Sequence, residues 1–238
     1  MVVCVQRYFS TTKLTNKFLL SADDLYHIKT VMRMKPSDKI EVIYQKELYI
    51  CELSNQYEAE IVEKISSENN QLREITLVVP LLKEQKMDLV LQKSTELGVA
   101  RIIPIVTERS IVKFDETKKT KKIIRWQKII KEASEQSKRL DIPILNTIKI
   151  LEDLKDLDGL KIVCSTAQNI DTLKKVLKNH KNCDKVTVLI GPEGGLTADE
   201  EEKLVSYGFV RVTLGKLIMR VETVPMFVLS SLNYENME

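Results

Sequence analysis

The feature that most constrains this chain is a change of hydrophobic period near residue 72. Beyond it, apolar runs alternate with helical patterns. Ile75-Thr-Leu-Val-Val79 is a continuous apolar run, as in a strand buried on both faces. Met87, Val90, Leu91, Ser94 and Leu97 then share one helical face, and Gly98 stands where a helix commonly stops. Arg101–Val106 reads as the next strand, with Pro104 better suited to an edge or a strand end than to a central ladder. Ile123, Trp126, Ile130 and Ala133 are spaced for the apolar face of a basic helix. Strands recur at Leu160–Cys164, Val186–Ile190 and Val210–Leu214, with helices near Thr172–Asn179 and Ala198–Tyr207 and a last one from about Val224. Such alternation predicts a mostly parallel α/β sheet covered on both faces.

Upstream the period is two. Lys39–Tyr44, Leu48–Leu53 and Ala59–Val62 alternate as strands do, after one short helix near Ala22–Met32. The polar stretch Ser66–Leu72 lacks periodicity and reads as a linker, which predicts domains at 1–68 and 73–238. A chain of 238 residues has enough length for both cores. With 43% hydrophobic and 30% charged residues, the composition excludes a disordered chain. Cys4, Cys51, Cys164 and Cys183 form no C-x-x-C pair, and His27 and His180 are the only histidines, so neither a zinc site nor a disulfide framework is expected. The apolar start meets Arg7 too soon for a signal peptide, and no apolar stretch reaches the roughly 18 residues of a membrane span. The expectation is a reduced, soluble, cytoplasmic protein with no metal and no membrane contact.

The net charge is only +3, which by itself argues against a nucleic-acid partner. Resolved along the chain, it divides. Between Lys113 and Arg139 ten basic residues face four acids, a net of +6 that leaves −3 for the remainder. A solvated helix face explains such a run, and so does a phosphate-backbone footprint. Charge alone leans to the first. Aromatic residues are 5%, too few for a base-stacking platform.

Two segments carry chemistry. Lys185–Ile190 enters Gly191-Pro-Glu-Gly-Gly195, followed by Thr197 and Glu200 in the spacing of a capping box. The reading is strand, glycine turn, capped helix, which sets the loop at the carboxyl end of a strand, where open α/β sheets bind ligands. Glu193 inside the loop disfavours a nucleoside triphosphate and suits a cationic or neutral-headed ligand. In the second segment, Leu214-Gly-Lys-Leu-Ile-Met-Arg220-Val-Glu-Thr-Val-Pro225, Pro225 fits only a first helical turn. Arg220 and Glu222 therefore lie in an apolar stretch just before a helix, where charges need partners or a function. An ion pair of Arg220 with Glu222 or Glu193 is the structural alternative.

Together, GPEGG-L-T-x-x-E and LG-x-x-I-M-R-x-E-T resemble the carboxyl-terminal signature of the RsmE family, SPOUT-class methyltransferases that modify N3 of a uridine in small-subunit ribosomal RNA. Lys93–Val99 with Ile103-Pro104 and Glu108-Arg-Ser110 is similar to the family's middle motif. Trp126 with Glu132–Ser137, Arg139 and Pro143 is similar to the next, while Arg7-Tyr-Phe9, His27, Val31-Met-Arg33 and Asp38 resemble its amino-terminal domain. The resemblance spans nearly the whole chain. Met219 replaces the family's usual Leu, Val224 its Ala and Ser37 its Gly.

The resemblance implies a small PUA-like β-barrel, then an α/β domain with a carboxyl-terminal trefoil knot, paired as a homodimer. It implies S-adenosylmethionine as cofactor, bound at Ser165 and Thr166, at Ile190, Gly191, Pro192, Glu193 and Gly194, and along Leu214, Gly215, Leu217, Ile218, Met219 and Thr223. Leu217 and Ile218 would line an apolar slot. Arg220 would stabilise an anionic uracil, with Glu222 orienting it or serving as base. His27 suits RNA contact or a core hydrogen bond better than catalysis. An RNA footprint would combine Arg7 and Arg33 on the small domain with Arg109, Lys113, Gln136 and Arg139 on the large one. The alternatives are a non-catalytic RNA-binding or ribosome-assembly factor and a related enzyme acting on tRNA. An intact cofactor loop with Arg220 and Glu222 favours the enzyme over the non-catalytic factor, and the resemblance implies 16S rRNA, in the assembled small subunit, as its substrate.

Overall fold

The computed structural model describes residues 5–65, 73–110, 116–181 and 183–235, with the side chains of 116–118 left aside. Contacts divide the chain into two units. One is Met1–Asn70 with Ser134–Ile142, and the other is Gln71–Ala133 with Pro143–Glu238.

The first unit is a six-stranded sheet in the order β1-β4-β5-β6-β3-β2. These strands are β1 (Arg7–Phe9), β2 (Thr12–Lys13), β3 (Lys17–Leu19), β4 (Lys39–Tyr44), β5 (Glu47–Leu53) and β6 (Ala59–Ile65). Pairing is antiparallel except between β1 and β4. Ser10 ties distant strands together: its amide donates to Ile43 of β4, and its hydroxyl donates to the Leu19 carbonyl of β3 at 2.8 Å. Tyr8, Phe18, Ile28, Ile40, Val42 and Cys51 fill the core. The alternating runs predicted β4, β5 and β6, because a sheet with one wet face buries every second residue, whereas the short β1, β2 and β3 carry too few residues to show a period. Helix α1 (Ala22–Tyr26) is capped by Ser21, whose side chain accepts from the Asp24 amide, and continues as a wide π turn over His27–Val31. The His27 Nδ1 lies 3.0 Å from the Tyr8 hydroxyl, a hydrogen bond at the core edge. Ser37, one of the departures from the resembled family's usual glycine, adopts φ 71°, a left-handed backbone that costs a side chain about 1–2 kcal/mol.

Ser134–Ile142 joins this unit through specific bonds. Arg7 is 7% exposed, and its guanidinium pairs with Glu41 at 2.7 Å and donates to the carbonyls of Lys138 and Arg139. Lys138 in turn meets Glu41 at 2.9 Å, and Arg139 pairs with Asp141 at 2.8 Å. Gln136 and Arg139, expected on the large domain, thus sit in a segment that clusters with the small one.

The second unit is a parallel sheet in the order β12-β10-β11-β7-β8-β9. The strands are β7 (Glu74–Pro80), β8 (Arg101–Ile105), β9 (Ile144–Leu145), β10 (Leu160–Cys164), β11 (Lys185–Leu189) and β12 (Phe209–Val212). The helices are α2 (Glu84–Glu96), α3 (Glu116–Gln136), α4 (Leu173–Asn179), α5 (Ala198–Ser206) and α6 (Thr223–Glu235). Leu77 and Val79 of β7 pack with Met87, Trp126, Val228 and Leu229 on one face, while Val78 packs with Leu204 and Phe209 on the other. Both faces are covered, which explains why β7 reads as an unbroken apolar run. Full burial of one Leu or Val contributes about 1.5–3 kcal/mol. Pro104 lies inside β8, but β9 pairs only with Arg101 and Ile102. The Pro104 carbonyl accepts from the Lys149 amide on that outer side, so the missing N–H falls where the neighbouring strand has already ended.

Part of the basic run is committed to carboxylates. Lys122 pairs with Glu84, and Arg125 reaches Glu84 at 2.6 Å and Asp88 as well. Lys138 and Arg139 are held by Glu41 and Asp141 as above. These four cations neutralise acids that lie outside the run in sequence, so +6 overstates the charge open to RNA. Lys113 lies outside the described residues.

Candidate active site

Strands β10, β11 and β12 are neighbours and parallel, so the loops that leave their carboxyl ends share one edge of the sheet. Those loops begin at Ser165, Ile190 and Thr213. Ser165 is 8% exposed; its hydroxyl donates to Glu201 of α5 at 2.8 Å and accepts from the Ala167 amide. Thr166 beside it is exposed. The Ile190 amide continues the ladder to the Val78 carbonyl at 3.1 Å.

The glycine loop then folds back on itself. The Gly195 amide donates to the Pro192 carbonyl at 2.9 Å, and Pro192 is buried beneath the turn. A Cβ on Gly191 would stand 3.3 Å from the Leu196 amide nitrogen, so the turn needs glycine for close approach. Thr197 and Glu200 form the predicted capping box at the start of α5. Glu200 does more than sequence spacing could show. It is 8% exposed, and its second carboxylate oxygen accepts the Glu108 amide at 2.8 Å. That bond fastens the loop after β8 to this corner. From the same loop, Arg109 donates to the Gly194 carbonyl at 2.8 Å, with its aliphatic stem against the Gly194 backbone. Arg109, expected to touch RNA, thus straps the glycine loop in this structure.

Around the third loop, Gly215 takes φ 121° and its amide donates to the Thr213 hydroxyl. Leu214 is half-buried against the core, and so is Val224. Leu217 and Ile218 are 82% and 86% exposed, so the chain alone builds no closed slot around them. Met219 is half-buried. The Arg220 carbonyl accepts the Thr223 and Val224 amides and starts α6, with Pro225 buried in its first turn, where a missing N–H costs nothing. The Arg220 side chain is exposed and makes no ion pair or hydrogen bond among the described residues. Neither ion pair considered for it, with Glu222 or with Glu193, forms.

Both carboxylates meet Lys86 of α2 instead, at 3.0 Å for Glu193 and 3.6 Å for Glu222. Burial pushes the Glu193 carboxyl up, but the Lys86 hydrogen bond, a backbone amide and the charges of Lys86 and Lys83 outweigh it and hold it below the usual range. The hydrogen bond to Glu193 likewise pushes the Lys86 ammonium up. Nothing in the local sequence marks Lys86, which reads as an ordinary solvated position on an amphipathic helix. Burial pushes the Cys164 thiol, at the end of β10, up to about 12, so it is no thiolate nucleophile at neutral pH. Among the described residues no cluster of three metal-ligating side chains occurs, and no helix is long and apolar enough to cross a membrane.

A family model described as an RNA methyltransferase domain matches residues 68–233, and another described as an RNA methyltransferase PUA domain matches residues 20–62. Ribosomal RNA small subunit methyltransferase E of Bacillus subtilis (strain 168) is 32% identical, with 97% of each chain covered. Its namesake from Mesomycoplasma hyopneumoniae (strain 232) is 33% identical over 94% of this chain and 97% of the relative. Among solved structures, the Neisseria gonorrhoeae ribosomal RNA small subunit methyltransferase E bound to S-adenosylmethionine superposes with a TM-score of 0.85 at 30% identity, covering 97% of each chain. A Legionella pneumophila methyltransferase in complex with the same cofactor gives 0.89 at 28% identity, covering 98% of each chain. Nearly full-length similarity joined to matches on both units places the amino-terminal sheet as a PUA-like domain ahead of a methyltransferase domain, and the chain belongs to the RNA methyltransferase family.

Proposed function

We propose that the chain transfers a methyl group from S-adenosylmethionine to N3 of a uridine in small-subunit (16S) ribosomal RNA. In this reading it acts in the cytoplasm as a homodimer whose carboxyl-terminal segment is threaded as a trefoil knot. The observation that carries the proposal is the shared edge of three neighbouring strands, where glycine-loop backbone, an uncovered apolar pair and an uncommitted arginine occur together.

The residues present fit the cofactor. Leu217 and Ile218 offer apolar surface that the chain leaves exposed, and Ile190–Gly194 with Leu214–Gly215 offers backbone groups for a planar ring. The resemblance assigns Ser165, Thr166, Met219 and Thr223 to the same ligand, and Glu193 would supply a carboxylate for its cationic part. When bound, S-adenosylmethionine supplies an electrophilic methyl on a sulfonium. Uracil N3 has no free lone pair while the base is neutral, so its proton must pass to solvent water before or during transfer, with the thioether S-adenosylhomocysteine as the leaving group. Arg220 stabilises the anion that results, either at the uracil oxygens or through the adjacent phosphate. Glu222 is held towards Lys86, which suits an anchoring part better than a base that must reach N3.

RNA contact would fall to exposed Arg33 and Gln136 on the first unit; Arg109 is engaged by the Gly194 carbonyl, Lys113 lies outside the described residues, and Arg7 and Arg139 hold the segment that carries Gln136. Phosphate contacts of this kind position a substrate without specifying it. The target base must be unpaired or flipped, because pairing hides N3. The test is to offer small ribosomal subunits, free 16S rRNA and tRNA in parallel with labelled cofactor. Label is expected in ribosomal RNA. Label confined to tRNA would replace this substrate with the alternative one, and no label anywhere, with no heat on titrating the cofactor, would favour the non-catalytic RNA-binding factor.

A further inference from the structure

We infer that Lys86 is a positioning residue: its ammonium staples the glycine loop to the Arg220–Glu222 segment and thereby leaves the Arg220 guanidinium uncommitted for the substrate. Three elements far apart in sequence meet at this one nitrogen. Glu193 comes from the loop after β11, at 3.0 Å, and Glu222 from the approach to α6, at 3.6 Å. Lys86 itself is in the first turn of α2, an element that packs along α6 in the core.

The geometry has a clear electrostatic logic. Glu222 Oε2 is buried without a hydrogen-bond donor, and 3.6 Å is too long for one from Lys86. What Lys86 supplies there is charge. Remove it, and two carboxylates that share one cation are left facing each other, one of them partly desolvated. Lys83, a second cation whose charge acts on Glu193, lies one turn back. The freed Glu222 carboxylate would then turn to Arg220, two residues away on its own segment, while Glu193 keeps the charge of Lys83. Competition of that kind would withdraw Arg220 from the reacting base, so Lys86 acts on transfer without touching substrate.

The first half of this inference concerns the folded chain alone. The second half, the effect on transfer, rests on the proposed methyltransferase reading. The experiment therefore has two readouts. Amide exchange of the full chain without cofactor is followed in 190–196 and 216–224, comparing wild type with Lys86→Met and Lys86→Arg. Methionine keeps the stem and removes the charge; arginine keeps the charge. Faster exchange of both segments in Lys86→Met, about tenfold, with recovery in Lys86→Arg and unchanged protection in β7 and β11, is the expected result. Unchanged exchange in both segments would overturn the staple. Should Lys86→Met lose protection everywhere, Glu193→Gln and Glu222→Gln decide instead, because each should loosen chiefly its own segment.

Cofactor affinity and single-turnover transfer are measured on the same variants. A drop in transfer that exceeds the drop in affinity, restored by arginine, marks positioning of Arg220. Equal small drops in both would overturn that half. A wild-type chain that moves no methyl while Lys86→Met still loosens both segments would sink the proposed activity and leave the staple standing.

Discussion

Replacing Arg220 by alanine is expected to lower methyl transfer by about 10²–10³-fold while cofactor affinity changes less than threefold, the penalty typical of removing one group aimed at developing charge. The expectation follows from position. The Arg220 side chain is exposed, lacks a partner among the described residues, and stands at the strand edge where the three loops converge. Its backbone, by contrast, has structural work: the carbonyl accepts the Thr223 and Val224 amides that begin α6. Alanine keeps that carbonyl, so folding should be untouched. Lysine is an informative second variant, because it keeps charge but loses the planar fork, and should recover only part of the rate. Single-turnover kinetics with calorimetric cofactor binding separate the two effects. Near-normal transfer in the alanine variant would remove Arg220 from the reacting centre.

The second large effect is structural. Glu200→Ala should cost the α/β unit about 2–4 kcal/mol, read as a lowered urea midpoint. Glu200 is 8% exposed, and its two oxygens accept the amides of Thr197 at 2.9 Å and Glu108 at 2.8 Å. Alanine leaves both donors in a corner that water enters poorly, and each orphaned buried amide costs about 1–3 kcal/mol. The loss should also reach the glycine loop, since the Glu108 bond fixes the segment from which Arg109 holds the Gly194 carbonyl. Glutamine retains one acceptor oxygen and should recover about half of the stability. A midpoint shift worth less than ~1 kcal/mol in Glu200→Ala would mean that the corner relaxes and refills its own hydrogen bonds.

What the sequence made legible was local. The unbroken run at Ile75–Val79 marked a two-sided strand, and Thr197 with Glu200 marked a helix start, because those patterns are written within a few residues. The resemblance also explained Ser37, whose φ of 71° is the backbone a glycine takes freely. What escaped were contacts between segments. Lys86 reads as solvent-facing because its partners Glu193 and Glu222 lie more than a hundred residues away along the chain. The +6 run reads as unpaired charge, whether a solvated face or a phosphate footprint, because Glu84, Asp88 and Glu41, which neutralise part of it, fall outside the run. Arg7 and Arg109 read as RNA-contacting cations, yet a buried pair with Glu41 claims the first and the Gly194 carbonyl the second. Residue type told which side chains could carry charge; only the fold told where that charge is spent.

The central claim is a reaction at one atom of one base. Incubating the protein with S-adenosylmethionine and small ribosomal subunits, then mapping methylated nucleosides of the 16S rRNA by mass spectrometry, tests it most directly. The account predicts 3-methyluridine at a single site, absent without enzyme and lost with Arg220→Ala. A methyl on carbon or ribose, or on any base other than uracil, would contradict it.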